Sequence, residues 1–545
     1  MKIWRNKFLL LGIIASLLIV SACTDPSSGD KGKKAKEQVL TTVNHVTSEP
    51  ASLDPLKATD SQSGEVLTHV MEGLVRTDAK GEPQPGMAEK WEVSADNLTF
   101  TFHLRDAKWT NGDPVTAHDF EFQWKRMLDP KNAGEADYAY QLYYLKNGQK
   151  YQQGKAKAED VGVKAIDDKT LQVTLEKPTP FFVSLTGFYA LFPTNKNVVE
   201  KNPDWAKNAD SYVGNGPFKL KTWAHDSKIE IVKNENYWNK NKVQLTQINF
   251  PMVGEEQTAY QMFLSKKINY LGTIPTDLVP KLLKEGKAKS TPIMGTYMYM
   301  FNVEKAPFNN AKIRKAFSLA IDREKLVKNV TQGGQAPATG WVPWEFNDPV
   351  ANKPFYQARP PYLPSTANPD EAKKLLAEGL KELGMTELPE VTLDYNTSEA
   401  HKKIAEAVQQ MWKENLGVEV KMRNSEFKVY LDKTKAGDFQ VARMGWLADY
   451  VDPMTFADYY LTDGGNNDTN WGNPEYDKLI AEAKSTADQK VRMEKMHQAE
   501  AILMDEMPVA PLYFYTINYM MDDKLKNVIH DVTGHTDYTY AYIEE

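Results

Sequence analysis

Residues 391–422 read VTLDYNTSEAHKKIAEAVQQMWKENLGVEVKM. Val391, Leu393 and Tyr395 alternate along the chain, the period of a strand buried on one face. Ile404, Val408, Met411 and Trp412 then stripe one side of a helix, which Gly417 is placed to end. Val418, Val420 and Met422 alternate again. Strand, helix and strand with short joints predict a right-handed βαβ crossover and a partly parallel sheet. The fold class that follows is α/β.

The same mixture extends outward from this unit. Leu98, Phe100, Phe102 and Leu104 alternate as a half-buried strand, followed by the turn Asn111-Gly112-Asp113-Pro114. Thr116, three residues before Asp119, caps a helix whose apolar face is Phe120, Trp124, Met127 and Leu128. Leu171, Val173 and Leu175 form another strand, Ile229 and Ile231 a third, and Ile313, Phe317, Ala320 and Ile321 a helix. At 545 residues the chain is roughly four typical domains long, so more than one lobe is expected.

Hydrophobic residues make up 41% and charged residues 26%, ordinary for a globular protein. The net charge is −7, and losing Lys2, Arg5 and Lys7 with residues 1–22 takes it to −10. An acidic chain without a long basic block has no footprint for nucleic acid, and its aromatic residues lack the basic groove that base stacking needs. The only cysteine is Cys23, which excludes disulfides, CxxC redox sites, iron–sulfur clusters and Cys-rich zinc sites.

That cysteine closes a basic start and the apolar run Phe8 to Val20, in the context Val20-Ser21-Ala22-Cys23. The pattern is a secretory signal over residues 1–22, with an apolar core too short to span a bilayer. Val-Ser-Ala-Cys resembles a bacterial lipobox, in which the cysteine becomes the lipidated N-terminus; an ordinary signal peptide is the alternative. Residues 23–38, including TDPSSGDKGKKAKE, read as the lipidated cysteine and a flexible tether, with the folded part beginning near Val39. The expected location is the extracytoplasmic face of a Gram-positive cell membrane, a periplasmic setting being the alternative.

Catalytic signatures are missing. There is no GxxxxGK[ST], GxGxxG, GxSxG or HExxH. The nine histidines never fall at metal-ligand spacing. Gly214-Asn215-Gly216-Pro217 and Gly464-Gly465-Asn466-Asn467-Asp468 lack the lysine of a phosphate cradle and read as turns. A pair of carboxylates for glycoside hydrolysis stays open, since among 73 acids two stand close somewhere. The reading is a non-enzyme, without cofactor or metal.

Several segments then become recognisable. SEPASLDP at 48–55, Glu72-Gly73-Leu74, GMAEKW at 86–91 and AKWTNGDPVTAHDF at 107–120 resemble the oligopeptide-binding proteins of ABC importers, within solute-binding family 5. The likeness continues through NGPFKL at 215–220, KAPF at 305–308, IRKA at 313–316 and Tyr395-Asn396-Thr397, and closes with RMGWLADY at 443–450. The resemblance implies a periplasmic-binding-protein-like clamp (type II, cluster C) with two main lobes and an extra inserted lobe. Lobe I would be 39–71, 200–302 and 517–545, inserted lobe II 72–199, and lobe III 303–516. An oligopeptide would lie extended between lobes I and III, its backbone added to protein strands. The chain would act as a monomer and deliver the peptide to membrane permease subunits.

By the same resemblance, Asp449 pairs with the peptide's α-ammonium, because an amine taken out of water needs a charged acceptor; the alternative is an aspartate organising the turn before Val451-Asp452-Pro453. Trp446 would wall a side-chain pocket, or pack as plain core. Gly445, Leu447 and Ser61 would offer backbone groups, and Tyr138 would reach the ligand from lobe II. Arg443, His401 and Lys305 fall at positions that meet the peptide's carboxylate in the family. The chain departs from the pattern at Thr434-Lys435, where some relatives carry Arg-His; Lys435 could substitute as a point charge without the bidentate fork. Thr59 also replaces a pocket acid of some relatives. Other cargoes stay open: a dipeptide, a murein peptide, a signalling peptide, a sugar or a nickel chelate. An exported hydrolase and a pure scaffold are the remaining classes.

Overall fold

The computed structural model describes residues 34–545. The signal at 1–22, Cys23 and most of the tether lie outside the described residues. The tether's last residues are tied to the far end of the chain: Ala35 N donates to Ile543 O at 2.9 Å, and Lys34 bridges Glu544. The folded part therefore begins by residue 34, earlier than Val39, because the C-terminal segment supplies it with an edge.

The unit at 391–422 forms as its periods require. Strand Val391–Asn396 leads into helix Glu399–Leu416, which buries Ile404, Val408 and Trp412 and ends at Gly417 with φ +73°. That left-handed conformation costs a glycine nothing sterically. Strand Val420–Ser425 then pairs parallel with Val391–Asn396 along its whole length. Trp412 is fully buried, stacks its edge on Phe317 and donates its indole N–H to Phe317 O at 2.9 Å. Truncating such a side chain to alanine costs about 3–5 kcal/mol.

This unit is one end of an eleven-stranded mixed sheet. From it the order runs Val420–Ser425, Val391–Asn396, Val441–Leu447, Lys289–Phe301, Val509–Met521, Tyr270–Leu271, Val39–Val43, Gln247–Pro251, Lys228–Lys233 and Phe218–Ala224. Ala336–Pro337 pairs beside Val509–Met521. The two thirteen-residue strands Lys289–Phe301 and Val509–Met521 are antiparallel and lie in the middle of this order. Their register is interrupted twice: Lys289–Pro292 pairs with Tyr519–Thr516, pairing resumes at Thr296 with Phe514, and it shifts again between Tyr297 and Met298. At the first interruption Met294 N bonds Val532 O, Ala448 N bonds Met294 O, and Trp344 Nε1 donates to Ile293 O and Tyr515 O.

A separate four-stranded antiparallel sheet forms from the segment inserted after helix Ser61–Val70, in the order Ala88–Val93, Thr99–Leu104, Thr170–Thr174, Val163–Asp167. Helix Ala117–Leu128 packs on it, begun by a reciprocal capping box between Thr116 and Asp119. Its Trp124 is fully buried, with the indole N–H on Leu191 O. Among the described residues no helix is long and apolar enough to cross a membrane.

Candidate functional site

The strand Val441–Leu447 carries most of the site. Along one edge it pairs with Lys289–Phe301 from Gly295 to Phe301. On the other it meets Val391–Asn396 only at Val441 and Ala442. From Arg443 onward that second edge has no strand partner, so its peptide groups face a place where another extended chain can add. Gly445 leaves the strand bare on the face it shares with Arg443 and Leu447; a Cβ there would lie 2.4 Å from the Tyr515 hydroxyl.

Just beyond the strand stands Asp449. Its backbone N–H donates to Thr455 Oγ1 at 3.1 Å, and its Oδ2 accepts from Gln141 Nε2 at 2.8 Å. No lysine, arginine or histidine pairs with it among the described residues. Burial, then the charge of Asp458, pushes this carboxyl well above the ordinary carboxylate range, against the pull of the Gln141 amide. Asp458 itself is paired with Lys484 at 2.9 Å and receives the Tyr144 hydroxyl. The turn that follows Asp449 is organised by Asp452, whose Oδ1 accepts from Met454 N and from Arg492 Nη2. Asp449 is therefore free of the turn-capping duty its sequence position allowed.

Trp446 is 7% exposed, and its indole N–H donates to Thr455 O at 2.9 Å. Its ring lies against Tyr459, with centroids 4.5 Å apart, and against Tyr138 at 6.2 Å. Tyr138 reaches it from the short 3-10 helix Asp137–Leu142 of the inserted segment. The two sides also meet where Phe181 stacks on Tyr450 at 4.6 Å and where Gln141 meets Asp449. This is a closed arrangement.

The second cluster centres on Arg443. Its Nη2 donates to the Tyr515 hydroxyl at 2.8 Å, its Nη1 to Asn396 Oδ1 at 3.2 Å, and its guanidinium lies 4.6 Å from the Tyr297 ring centre. Its Nε is buried without a partner, and among the described residues no carboxylate pairs with it. A cation held only by neutral groups is a receptor for an anion. His401, in the first turn of helix Glu399–Leu416, sits 3.4 Å from the Tyr297 hydroxyl. Burial, then Arg443, holds its pKa well below the usual imidazole value, so His401 serves as a neutral hydrogen-bonding group.

Three expected residues stand apart from these clusters. Lys435 bonds Asp137 Oδ1 at 2.5 Å and Gly134 O at 3.3 Å, so it spans to the inserted segment and its charge is already matched. Lys305 is exposed in the turn after Phe301 and makes no side-chain bond. Ser61 is exposed at the first position of helix Ser61–Val70, where Asp60 provides the cap. In turn, Gln141, Thr455, Tyr297, Tyr515 and Asn396 belong to the site without having been expected there. Gln141 had one signal, its i+3 spacing from Tyr138, which places the two on one side of the 3-10 helix Asp137–Leu142.

A strand edge with an unpaired carboxylate near one end and an unpaired guanidinium near the other, enclosed by two bodies in contact, defines a clamp-type binding protein. The profile of the bacterial extracellular solute-binding proteins, family 5, matches residues 82–468, and the chain belongs to that family. It is 46% identical over 539 residues to the oligopeptide-binding protein OppA of Bacillus subtilis (strain 168), covering 97% of both chains. It is similar to the crystal structure of Haemophilus influenzae OppA in complex with the peptide RPPGFSPFR, at 35% identity and TM-score 0.86, over 94% of this chain and 100% of that one. The unliganded open form of the murein tripeptide binding protein MppA is also 35% identical, over 94% and 99%, but its TM-score is 0.62. With identity equal, the chain overlays the peptide complex more closely than the open form.

Proposed function

We propose that the protein is the extracytoplasmic receptor of an ABC importer, binding oligopeptides in extended form and handing them to membrane permease subunits without breaking a bond. The observation that carries this is Asp449, a deeply placed carboxylate whose only side-chain donor is the neutral amide of Gln141. A peptide's α-ammonium would supply the missing charge. Arg443, lacking any anion, would meet the peptide's carboxylate, with His401 as a neutral neighbour. Gly445 and Leu447 would pair their peptide groups with the ligand along the open edge. Trp446 and Tyr138 would wall a side-chain pocket. Lys435, already paired with Asp137, would clasp the closed lobes in place of contacting ligand.

The three-lobe division is part of this reading: lobe I from 39–71, the chain after 200 and 517–545, lobe II from 72–199, and lobe III for the rest to 516. The interrupted register favours a crossing from lobe I to lobe III at Pro292–Gly295, opposite Tyr515 and Thr516, ahead of the 302/303 boundary. A lipid on Cys23 would hold the protein at the membrane, several acyl chains being needed for a stable anchor. The test is mass spectrometry of ligand released by denaturing the purified protein. Peptides are expected; a sugar or metal chelate in their place would overturn the cargo.

A further inference from the structure

Gln141 has no solvent exposure. Its Nε2 donates to Asp449 Oδ2 at 2.8 Å and to the Tyr140 hydroxyl at 3.2 Å. Its Oε1, equally enclosed, has no hydrogen-bond partner. An amide carbonyl removed from water and left idle is costly, and such groups are rare in folded proteins. This one sits on the same amide that holds the carboxylate assigned to the ligand's amine. An α-ammonium carries three N–H donors arranged as a tetrahedron, more than one carboxylate accepts with good geometry. A second acceptor close to Asp449 completes the set, and the idle carbonyl is of that kind.

We propose that Gln141 is a second determinant of selectivity for a free α-ammonium: its side-chain NH2 orients the Asp449 carboxylate, and its carbonyl accepts from the ligand's amine. The inference rests on the reading of Asp449 given above. Gln141 comes from the inserted segment and Asp449 from the end of strand Val441–Leu447, so the amine is gripped from both sides of the closure. A ligand lacking the charged amine leaves both acceptors unmatched and gives the closed form less support.

Calorimetric titration with tetra-alanine and with N-acetyl-tetra-alanine tests this on wild type, Gln141→Met, Gln141→Leu, Gln141→Glu and Asp449→Asn. Wild type is expected to prefer the free amine by a hundredfold or more. In Gln141→Met, or Gln141→Leu should the first fail to fold, that ratio is expected to fall at least tenfold through weaker binding of tetra-alanine alone. Gln141→Glu, which keeps an acceptor of the same reach but loses the NH2 donor to Asp449, is expected to keep a higher ratio than Gln141→Met, and a ratio as low as in Gln141→Met would overturn the role of the carbonyl. Equal losses for both ligands, or an unchanged ratio in the apolar variants, would overturn the role of Gln141. If the ratio collapses in Asp449→Asn but stands in Gln141→Met, only the Gln141 proposal fails. If wild type shows no preference, or Asp449→Asn retains it, the reading of Asp449 fails and takes this inference with it.

Discussion

At the scale of single residues the site is a matter of unmatched charge. An ionised carboxylate moved from water into the closed interface costs several kcal/mol unless a cation accompanies it. Among the described residues Asp449 has no such cation, and its raised pKa expresses that cost. On the proposed reading, closure without peptide would be penalised, and a peptide's ammonium would lift the penalty. Asp449→Asn should accordingly do two things at once. It should weaken peptide binding by about a hundredfold, the lower part of the range for losing one partner of a buried charge pair. It should also make the ligand-free protein more compact, which small-angle scattering reads directly; an expanded ligand-free form identical to wild type would reject the gating role. His401 gives a contrasting expectation. Its pKa is held well below 6.5, so it stays neutral across pH 6.5–8 and adds no charge to the Arg443 cluster there. The pH profile of peptide affinity over that range should be the same in His401→Gln as in wild type, and a step near pH 6.5 present only in wild type would contradict the assignment.

At the scale of elements, the strand Val441–Leu447 does its work by what it lacks: a partner beyond Ala442 and a side chain at Gly445. Adding a methyl at Gly445 pushes the Tyr515 hydroxyl away from Arg443, 2.8 Å from it in the native arrangement. Tyrosine can swing, so Gly445→Ala should fold with only a modest fall in melting temperature while binding peptide about tenfold more weakly. A melting loss comparable to a core truncation, with affinity intact, would show Gly445 to be a packing glycine only. This level also decides what could be read in advance. The unit at 391–422 was legible because each element is buried on one face and declares its own period. The long strands Lys289–Phe301 and Val509–Met521 are buried on both faces over most of their length, so KSTPIMGTYMYMF shows no alternation. Asp449, Arg443 and Trp446 came from a resemblance in RMGWLADY, not from any period. Lys305 and Lys435 stand apart from the two clusters, and charge type alone does not say whether a side chain meets solvent, another residue or a ligand.

At the scale of the whole molecule, a second group of like charges gathers around the start of helix Glu399–Leu416. Glu255 and Glu256 open helix Glu256–Leu264, and Glu399 opens helix Glu399–Leu416; Asp277 lies nearby, with Lys403 as the facing cation, 2.8 Å from Asp277 Oδ1. Glu256 is 8% exposed and its Oε2 has no hydrogen-bond partner. Burial, then the charge of Glu399, pushes Glu256 up to about 7 from an ordinary 4.5, and Glu399 is raised too, by burial and by its hydrogen bond with Glu255. On the proposed lobe division Glu256 lies in lobe I and Glu399 and Ala400 in lobe III, so the raised value would belong to the closed form. A carboxyl whose pKa is raised favours that form fully below 4.5, and the benefit is lost as pH climbs through 7. Peptide binding, which drives closure, should then take up protons between those limits. Asp468, raised to about 6 by burial beside Thr434, Asp137 and Lys435, adds to the same uptake from the interface with the inserted segment. The Glu256 share is isolated by difference: calorimetry at pH 6 in two buffers of unlike ionisation enthalpy should show Glu256→Gln taking up about one proton fewer per peptide than wild type. The variant's affinity should also fall less steeply from pH 5 to pH 8. An identical proton count in the two proteins would mean that Glu256 keeps its environment whether the clamp is open or shut, and that the crossing at Pro292–Gly295 does not separate it from Glu399.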